Sequence, residues 1–367
     1  MRCHTRREFL LHSALGAAAL AGKPPAVFGA VKEYRRGGMV YRKLGQTDLY
    51  VSLLSFGSHT DPAYKIHGKG RNTLNAEGQA RRDRLLARAF DLGVNLVDTY
   101  ENEGQAEPMA RLVKSRRDKV LISFCRNLPM FVGENIDNAA RLYGHVDLYR
   151  IYVGDGNAVD GKILEDWDIV RKAKEAGKLR AIGIATHSER MMLSALDQLE
   201  GMDYLFLPYN FIHARADYSE FLPRAIRKGI GLIAMKPLAA GSILRLDPRA
   251  NQTAKPENER IQLYQSRNRS ILPAVVTELT KSLNRLPDET LCQAALRYVY
   301  SRPFLSCTIP GMFEDYFLDE NHAALQRSLT LSQEEKVALH NARRLAALSD
   351  GRWLPQHYRW LDSRWHA

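Results

Sequence analysis

Three apolar segments of the chain end in side chains that can hold or transfer a proton. Asp98 follows the apolar side chains at positions 94, 96 and 97, Tyr152 closes the segment HVDLYRIY, and Lys236 follows the run GLIAM. Glu103 lies in the polar, glycine-containing loop after Asp98. A carboxylate at the end of a strand is either a turn residue or a catalytic group. An acid, a phenol and an amine in such places favour general acid–base chemistry.

The elements that would position these side chains are predicted by the alternation of two patterns. Short apolar runs such as VLIS, LRAIGI and GLIAM alternate with stretches of helical periodicity at residues 79–92, 163–176 and 290–299. This alternation predicts an α/β protein with a parallel sheet and outer helices. A doubly wound sheet is the competing architecture, but no GxGxxG motif follows the first strand.

The segments also resemble the aldo/keto reductase family, in the family's order, over roughly residues 39–330. Around Asp98, the strand, the aspartate, Gly104 and Glu107 are similar to a family motif. Further similar segments are VYRKLGQTDLYVSLLSFGS, HVDLYRIY, GKLRAIGIATHS, YLFLPYN, GIGLIAMKPLAAG and TIPGM. The resemblance implies a (β/α)8 TIM barrel with an N-terminal β-hairpin cap and a ligand site at the C-terminal ends of its strands.

The family's catalytic groups are only partly present. In the family a tyrosine donates a proton to a carbonyl, a lysine tunes that tyrosine, an aspartate pairs with the lysine, and a histidine orients the carbonyl. The resemblance places Asp98 at the aspartate position. The tyrosine, lysine and histidine positions are occupied by Glu103, Cys125 and Tyr152. Three of the four groups are therefore substituted.

Two other side chains are needed to complete such a site. A buried aspartate without its lysine is costly, so a cation is expected beside Asp98. Arg126 and Lys236 are both candidates for that cation. Tyr152 is the first candidate for a replacement proton donor. The alternatives are Glu103, Tyr100 and His187.

The resemblance also implies a nicotinamide nucleotide, NADP or NAD, as cofactor. The positions that correspond to the family's cofactor contacts are Thr186, Met235, Gly311, Met312, Glu320 and Asn321. Gly311 and Met312 replace the lysine and serine that hold the adenosine phosphate. Their replacement weakens the expected preference for a 2′-phosphate.

Residues 1–30 are predicted to be a twin-arginine signal peptide. Arg6 and Arg7 precede Phe9, and a short alanine-rich apolar run ends before Lys23. The run is too short for the roughly 30 Å hydrocarbon core of a bilayer, so no stable transmembrane span is expected. The alternatives are an ordinary Sec signal and a basic N-terminal helix, and cleavage or retention of the leader stays open. The prediction is a protein exported by the twin-arginine machinery to the periplasm or cell envelope.

Charge and cysteine spacing exclude several other classes. The net charge is +12, and adjacent arginines occur at positions 81–82, 116–117 and 343–344. No nucleic-acid-binding motif accompanies these pairs, so nucleic acid is not an expected partner. A basic surface suits an anionic substrate. The four cysteines have no CxxC or CxxH spacing, so neither an iron–sulfur cluster nor a metal is expected.

Two further segments are predicted from their composition. Residues 247–269 are predicted to form a polar loop over the barrel mouth, and residues 331–367 a helix with an aromatic and basic tail.

The expected function is nicotinamide-dependent reduction of a small carbonyl or sugar-like substrate with an atypical acid residue. A catalytically inactive barrel that acts as a binding or scaffold protein is one alternative. Non-redox lyase or isomerase chemistry on the same barrel is another, because a fold does not fix a function.

Overall fold

The computed structural model describes residues 30–70, 72–100, 104–126, 131–211, 213–238 and 289–337. Four predictions fall wholly or largely outside these ranges. They concern the leader at 1–30, Glu103, the polar loop at 247–269 and the tail at 331–367.

Seven parallel strands form the main sheet, and each pairs with its neighbours in chain order. These strands are β4 (Leu96–Tyr100), β5 (Leu121–Arg126), β6 (Val146–Tyr152), β7 (Leu179–Ala185), β8 (Tyr204–Pro208), β9 (Gly231–Met235) and β10 (Leu305–Thr308). Most of their residues are buried, as expected for a parallel sheet covered on both faces.

A short segment at residues 54–56 joins the two edges of this sheet. Leu54 forms a parallel bridge with Thr308 on β10, and Phe56 forms one with Val97 on β4. The segment is therefore the first of eight barrel strands, and it closes the ring. The parallel sheet predicted from the alternation of patterns and the (β/α)8 barrel implied by the family resemblance are both confirmed.

Within the described ranges, eight α-helices accompany the barrel strands. They are α1 (Ala76–Asp91), α2 (Ala106–Val113), α3 (Val132–Tyr143), α4 (Gly161–Glu175), α5 (Glu189–Gln198), α6 (Phe221–Arg227), α7 (Leu291–Tyr300) and α8 (Asp315–Leu325). Side-chain caps fix where several of them begin. Asn75 accepts a hydrogen bond from the Gly78 amide at 2.8 Å, and Asp160 accepts one from the Ile163 amide at 2.8 Å. No helix in the described part of the chain is long and apolar enough to cross a membrane.

The N-terminal cap is a three-stranded antiparallel sheet, formed by β1 (Glu33–Arg36), β2 (Met39–Lys43) and β3 (Tyr50–Ser52). The predicted hairpin cap is confirmed, with an additional strand before residue 39. The turn between β2 and β3 lies against the N-terminal ends of β8 and β9. A Cβ atom at Gly45 would come within 2.5 Å of the Gly229 carbonyl oxygen and the Gly231 amide nitrogen.

This contact predicts that Gly45→Ala destabilises the protein far more than Gly37→Ala. Both glycines have positive φ, +54° and +58°, but a Cβ at Gly37 would meet nothing within 4 Å. Backbone strain alone costs about 1–2 kcal/mol at either position, and overpacking adds roughly 1–3 kcal/mol at Gly45. Urea unfolding of the two variants measures the difference. Equal losses of unfolding free energy would contradict the packing of this turn against the barrel.

The barrel interior is filled largely by apolar side chains from alternate positions of the strands. They include Leu49, Val51, Leu96, Leu148, Ala181, Tyr204, Phe206, Ile233 and Cys307. One arginine, Arg150 on β6, is buried among them with an exposed fraction of 0%. A buried charge must be paired, so Arg150 requires an acidic partner inside the barrel.

Candidate active site

Asp98 on β4 and Arg150 on β6 form a buried, bidentate ion pair inside the barrel. Arg150 Nη1 donates to Asp98 Oδ1 at 2.6 Å, and Nη2 donates to Oδ2 at 2.9 Å. Ser123 Oγ, on the intervening strand β5, donates to Asp98 Oδ1 at 2.7 Å and accepts from Arg150 Nη1 at 2.7 Å. Burial opposes the charge of Arg150, but the adjacent Asp98 raises the pKa of Arg150 well above its ordinary value.

Neither cation predicted beside Asp98 is the one observed. Arg126 donates instead to Asp166 on α4 at 2.8 Å, because alternation along β5 directs its side chain out of the barrel. Lys236 Nζ lies 2.7 Å from His187 Nε2. The prediction that Arg126 or Lys236 neutralises Asp98 is therefore wrong, and Arg150 takes that role.

The strand register explains how Arg150 fills this role. Cys125, which stands where the resemblance expects a lysine, is the cross-strand neighbour of Arg150 on β5 and β6. Leu148, Arg150 and Tyr152 share one face of β6, and this face points into the barrel. The guanidinium thus reaches Asp98 from the strand beside the one that lacks the lysine.

Aromatic rings hold the guanidinium in place. The Arg150 guanidinium carbon lies 4.1 Å from the centre of the Phe206 ring and 5.1 Å from that of Tyr100. Arg150 Nε has no hydrogen-bond partner among the described residues, so this network contains one unsatisfied donor. The geometry favours a structural role for Asp98, whose oxygens are occupied by Arg150 and Ser123.

A second polar cluster lies at the C-terminal ends of the strands and contains Tyr152, Asp155, His187 and Lys236, here called the mouth cluster. Tyr152 donates to Asp155 Oδ2 at 2.9 Å, and its oxygen is 3.3 Å from His187 Nδ1. His187 Nδ1 is also 3.1 Å from Asp155 Oδ1, and the His187 amide donates to the same oxygen at 2.9 Å. With Lys236 Nζ beside His187 Nε2, the four side chains form a continuous chain.

Strand ends and tight loops bring these four residues together. Tyr152 is the last residue of β6, Asp155 and His187 follow β6 and β7, and Lys236 follows β9 directly. Lys236 has φ of +61°, an unusual backbone conformation for a residue other than glycine. Such strain is concentrated at functional sites. His187 links Tyr152 to Lys236, and Asp155, which the sequence did not single out, is hydrogen-bonded to both Tyr152 and His187.

The charges of the mouth cluster follow from its contacts. Burial would raise the pKa of Asp155, but hydrogen bonds from His187 and Tyr152 and the charge interaction with His187 lower it to about 2. Burial lowers the pKa of His187, and the nearby Lys236 lowers it further against the pull of Asp155. Burial also lowers the pKa of Lys236 to about 8, against the attraction of Asp155.

The contact with the ionised Asp155 carboxylate assigns the tautomer of His187. A carboxylate accepts hydrogen bonds and does not donate them, so His187 Nδ1 carries the hydrogen that faces Asp155. Its Nε2 then accepts from the Lys236 ammonium group. At neutral pH the mouth cluster holds one anion and one cation, linked by a neutral imidazole.

The lowered pKa of Asp155 predicts a pH-dependent contribution to stability. A carboxylate with a depressed pKa in the folded state stabilises the protein above its unfolded-state pKa, and this contribution is lost as the pH falls toward 2. Between pH 6 and pH 3 we expect the unfolding free energy of Asp155→Asn to fall by about 1 kcal/mol less than that of the unaltered protein. Urea unfolding at the two pH values measures this. An identical pH dependence in both proteins would contradict the assigned contacts.

The residues predicted to contact the nicotinamide half of a cofactor differ in how accessible they are. Met235, at the end of β9, is half-buried beside Lys236. Thr186 is fully buried, and its hydroxyl donates to the Gly154 carbonyl at 2.7 Å and accepts from the Ser188 amide at 3.1 Å. Met235 is therefore available to a ligand, whereas Thr186 supports the loop that carries Asp155.

The residues predicted at the adenosine half follow β10. Gly311 is exposed, and a Cβ there would meet only His59, at 3.6 Å or more. Met312 is fully buried, and Asn321 is 2% exposed. Glu320 accepts hydrogen bonds from Thr290 and Gln293, the residues that cap the start of α7. The structure therefore gives Glu320 a structural contact and leaves the backbone at Gly311 open.

The cysteines and the possible metal ligands of the described residues complete the description of the site. Cys125, Cys292 and Cys307 are buried and are not joined by a disulfide in the described part of the chain. In the described part of the chain, no three His, Cys, Asp or Glu side chains are grouped so that they could hold a metal ion.

Comparisons with known proteins place this barrel among its relatives. The aldo/keto reductase family model matches residues 67–342. L-glyceraldehyde 3-phosphate reductase from Escherichia coli O157:H7 is 26% identical over 82% of this chain and 91% of its own length. A probable voltage-gated potassium channel subunit beta from Arabidopsis thaliana is 32% identical over 78% of this chain and 91% of its own length.

A solved structure supports the same fold. The holo form of an aldo-keto reductase from Bacillus halodurans aligns with a TM-score of 0.64 at 19% identity, over 82% of this chain and 95% of that one. The family match extends over more than half of the chain, and the barrel geometry agrees with it. The chain therefore belongs to the aldo/keto reductase family.

Proposed function

We propose that this protein is a nicotinamide-dependent oxidoreductase that reduces a small carbonyl compound, with Tyr152 as its proton donor. The observation that carries the proposal is the mouth cluster, in which a phenol at a strand end is linked through histidine to a lysine. The family match and the relatives named as reductases support the reaction class. Asp98 acts in this proposal as the partner of Arg150 and not as an acid.

The mouth cluster supplies a route for one proton. Tyr152 gives its phenolic proton to the carbonyl oxygen, and His187 Nδ1, 3.3 Å away, returns a proton to the phenolate. Lys236, 2.7 Å from Nε2, then replaces the proton on the imidazole. Lys236 is half-buried, so it exchanges protons with water. Asp155 fixes both the phenol and the imidazole by hydrogen bonds.

The described residues fit a nicotinamide nucleotide in part. The open backbone at Gly311 leaves room for a phosphate, and half-buried Met235 offers an apolar contact beside Lys236. We propose that these two residues hold the nucleotide. When bound, the nucleotide supplies the hydride for the carbonyl carbon.

Local charge favours NADH over NADPH. Residues 309–319 contain no lysine or arginine, and Glu314 and Asp315 lie at the start of α8. A 2′-phosphate there would face carboxylates without a basic side chain from the same segment. Arg88 lies nearby, but it is already paired with Asp315 and Asp319.

A nucleotide titration tests the proposal. We expect saturable binding of NADH, seen as a change in nucleotide fluorescence and a rise in melting temperature, with weaker binding of NADPH. Gly311→Glu is the matched variant, because it places a carboxylate on the exposed backbone without filling a buried site. It should weaken NADH binding and leave the melting temperature of the free protein unchanged. No binding of either nucleotide up to millimolar concentration would refute the reductase proposal.

A binding or scaffold role is the second candidate, and the Asp98–Arg150 pair is the observation that favours it. Cys125 and Tyr152 replace the family's lysine and histidine, and Asp98 is paired with Arg150 instead. The Arg150 guanidinium in turn packs on the Phe206 ring inside the barrel. The relative named as a potassium channel subunit beta is compatible with such a role. Nucleotide binding without turnover of any carbonyl compound would favour this candidate.

We further propose that residues 1–30 direct export through the twin-arginine pathway. The support is the sequence of the leader, with Arg6 and Arg7 before an apolar run. Cell fractionation of a strain that expresses Arg6→Lys/Arg7→Lys tests it. We expect the unaltered protein in the envelope or periplasmic fraction and the double variant in the cytoplasm. The same distribution for both proteins would contradict the proposal.

A further inference from the structure

Lys236 lies where a carbonyl compound would bind, and its environment differs from that of an ordinary lysine. Its ammonium group contacts His187 Nε2 at 2.7 Å, at the C-terminal ends of the strands where barrel enzymes carry their active sites. Lys236 is only partly buried, so part of the residue faces solvent. The proton relay proposed above requires only a charged group at this position and makes no use of the lysine as a nucleophile.

The surroundings of Lys236 make it a competent nucleophile. Burial lowers the pKa of Lys236 to about 8, so the neutral amine is a minor form at neutral pH and reaches about half of the population near pH 8. Neutral His187 accepts a proton at Nε2, and Tyr152 supplies one to a departing oxygen. Asp155 holds both of these groups, and His213, 6% exposed, is a further ionisable neighbour of His187. An amine, a base and an acid thus converge on one site.

We infer that Lys236 forms a covalent imine with small aldehydes or ketones, and that this barrel therefore has a nucleotide-independent activity on carbonyl compounds. The inference goes beyond the proposed reduction, because it requires neither a hydride nor a bound nucleotide. The geometry that carries it is the convergence of Lys236, His187 and Tyr152 at one mouth.

The neutral amine of Lys236 adds to the carbonyl carbon, and a proton moves from nitrogen to oxygen to give a carbinolamine. Tyr152 protonates the hydroxyl group, which leaves as water, and the nitrogen lone pair forms the C=N bond of an iminium ion. His187 then removes a proton from the adjacent carbon to give an enamine. Reprotonation and hydrolysis by water return the carbonyl compound and the free amine, so the α-hydrogens exchange with solvent without any net oxidation or reduction.

Reductive trapping on the unaltered full-length protein tests the inference directly. The protein is incubated with propanal and sodium borohydride near pH 8 without nucleotide, and the labelled lysines are located by peptide mass spectrometry. Lys69, an exposed lysine, is the internal reference. Because Lys236 lies beside His187 in the mouth cluster and Lys69 does not, we predict that Lys236 is labelled at least about 10-fold faster than Lys69. Labelling of Lys236 at the rate of Lys69 or slower would overturn the inference.

Solvent exchange gives a second, independent readout. In D2O, the unaltered protein should speed deuterium incorporation at the α-carbon of propanal, followed by proton NMR. Lys236→Met should abolish this acceleration, and Lys69→Met should preserve it. Equal exchange in all three proteins would overturn the inference. Because neither assay contains nucleotide, a failure of nucleotide binding alone refutes the reductase proposal, whereas a failure of trapping alone refutes the imine.

Discussion

Arg150→Met is expected to lower the free energy of unfolding by about 4 kcal/mol. The substitution leaves Asp98, 1% exposed, as a buried carboxylate without its cation, and it removes the contact with the Phe206 ring. A buried charge that loses its partner costs far more than an exposed one. Urea unfolding followed by circular dichroism measures the loss.

Two controls separate this effect from a general sensitivity of the fold. Lys178→Met breaks the exposed pair with Asp137 and should cost under about 0.5 kcal/mol. The double variant Asp98→Leu/Arg150→Met removes both charges together and should recover most of the lost stability. If the double variant is as unstable as the single one, the ion pair is not what Arg150 supplies.

Tyr152→Phe is expected to lower kcat for carbonyl reduction by roughly 100-fold or more, because the proton donor is lost. The ring keeps its edge-on contact with His187, so the fold and the nucleotide affinity should be retained. Steady-state kinetics with NADH, together with the nucleotide titration, separate the two effects.

Tyr34→Phe is the matched control for this substitution. Tyr34 is 43% exposed on β1 and stacks on Tyr41, far from the mouth cluster in the barrel architecture. Its phenylalanine variant should reduce carbonyl compounds as fast as the unaltered protein. A normal kcat for Tyr152→Phe would assign proton donation to another group and contradict the proposed role of the mouth cluster.

The fold was predictable because its signal is distributed along the chain. Short apolar runs alternate with helical patterns along the chain. This alternation is compatible with only a few packing arrangements of strands and helices. The hairpin cap was also predicted, although β1 begins at Glu33, before the segment that resembles the family. The architecture does not depend on any single strand, so an uncertain assignment of one strand does not change the predicted fold.

The ion pair was missed although its signal is present in the sequence. An arginine inside HVDLYRIY shares a face with Leu148 and Tyr152, and the alternation of a strand places it in the barrel. The two residues predicted as the cation, Arg126 and Lys236, both lie at the ends of strands. A charge inside an apolar strand needs a partner of opposite sign, and Asp98 was the buried carboxylate that lacked one.

The mouth cluster could be predicted only in part. Tyr152 and Lys236 end their strands, so their placement follows from the barrel. The contact between Lys236 and His187 depends on the φ of +61° at Lys236, and the contacts of Asp155 depend on the loop after β6. Neither conformation follows from residue patterns, because both are set by tertiary packing around the mouth.

Product formation is the measurement that tests the central claim most directly. The purified protein is incubated with NADH and a panel of small aldehydes, ketones and sugar aldehydes, and the alcohol formed is measured together with the NADH consumed. We predict saturable turnover of at least one compound, with one alcohol formed for each NADH oxidised. Absence of alcohol above the protein-free rate for every compound, with bound nucleotide demonstrated, would contradict the account and leave a barrel that binds without reducing.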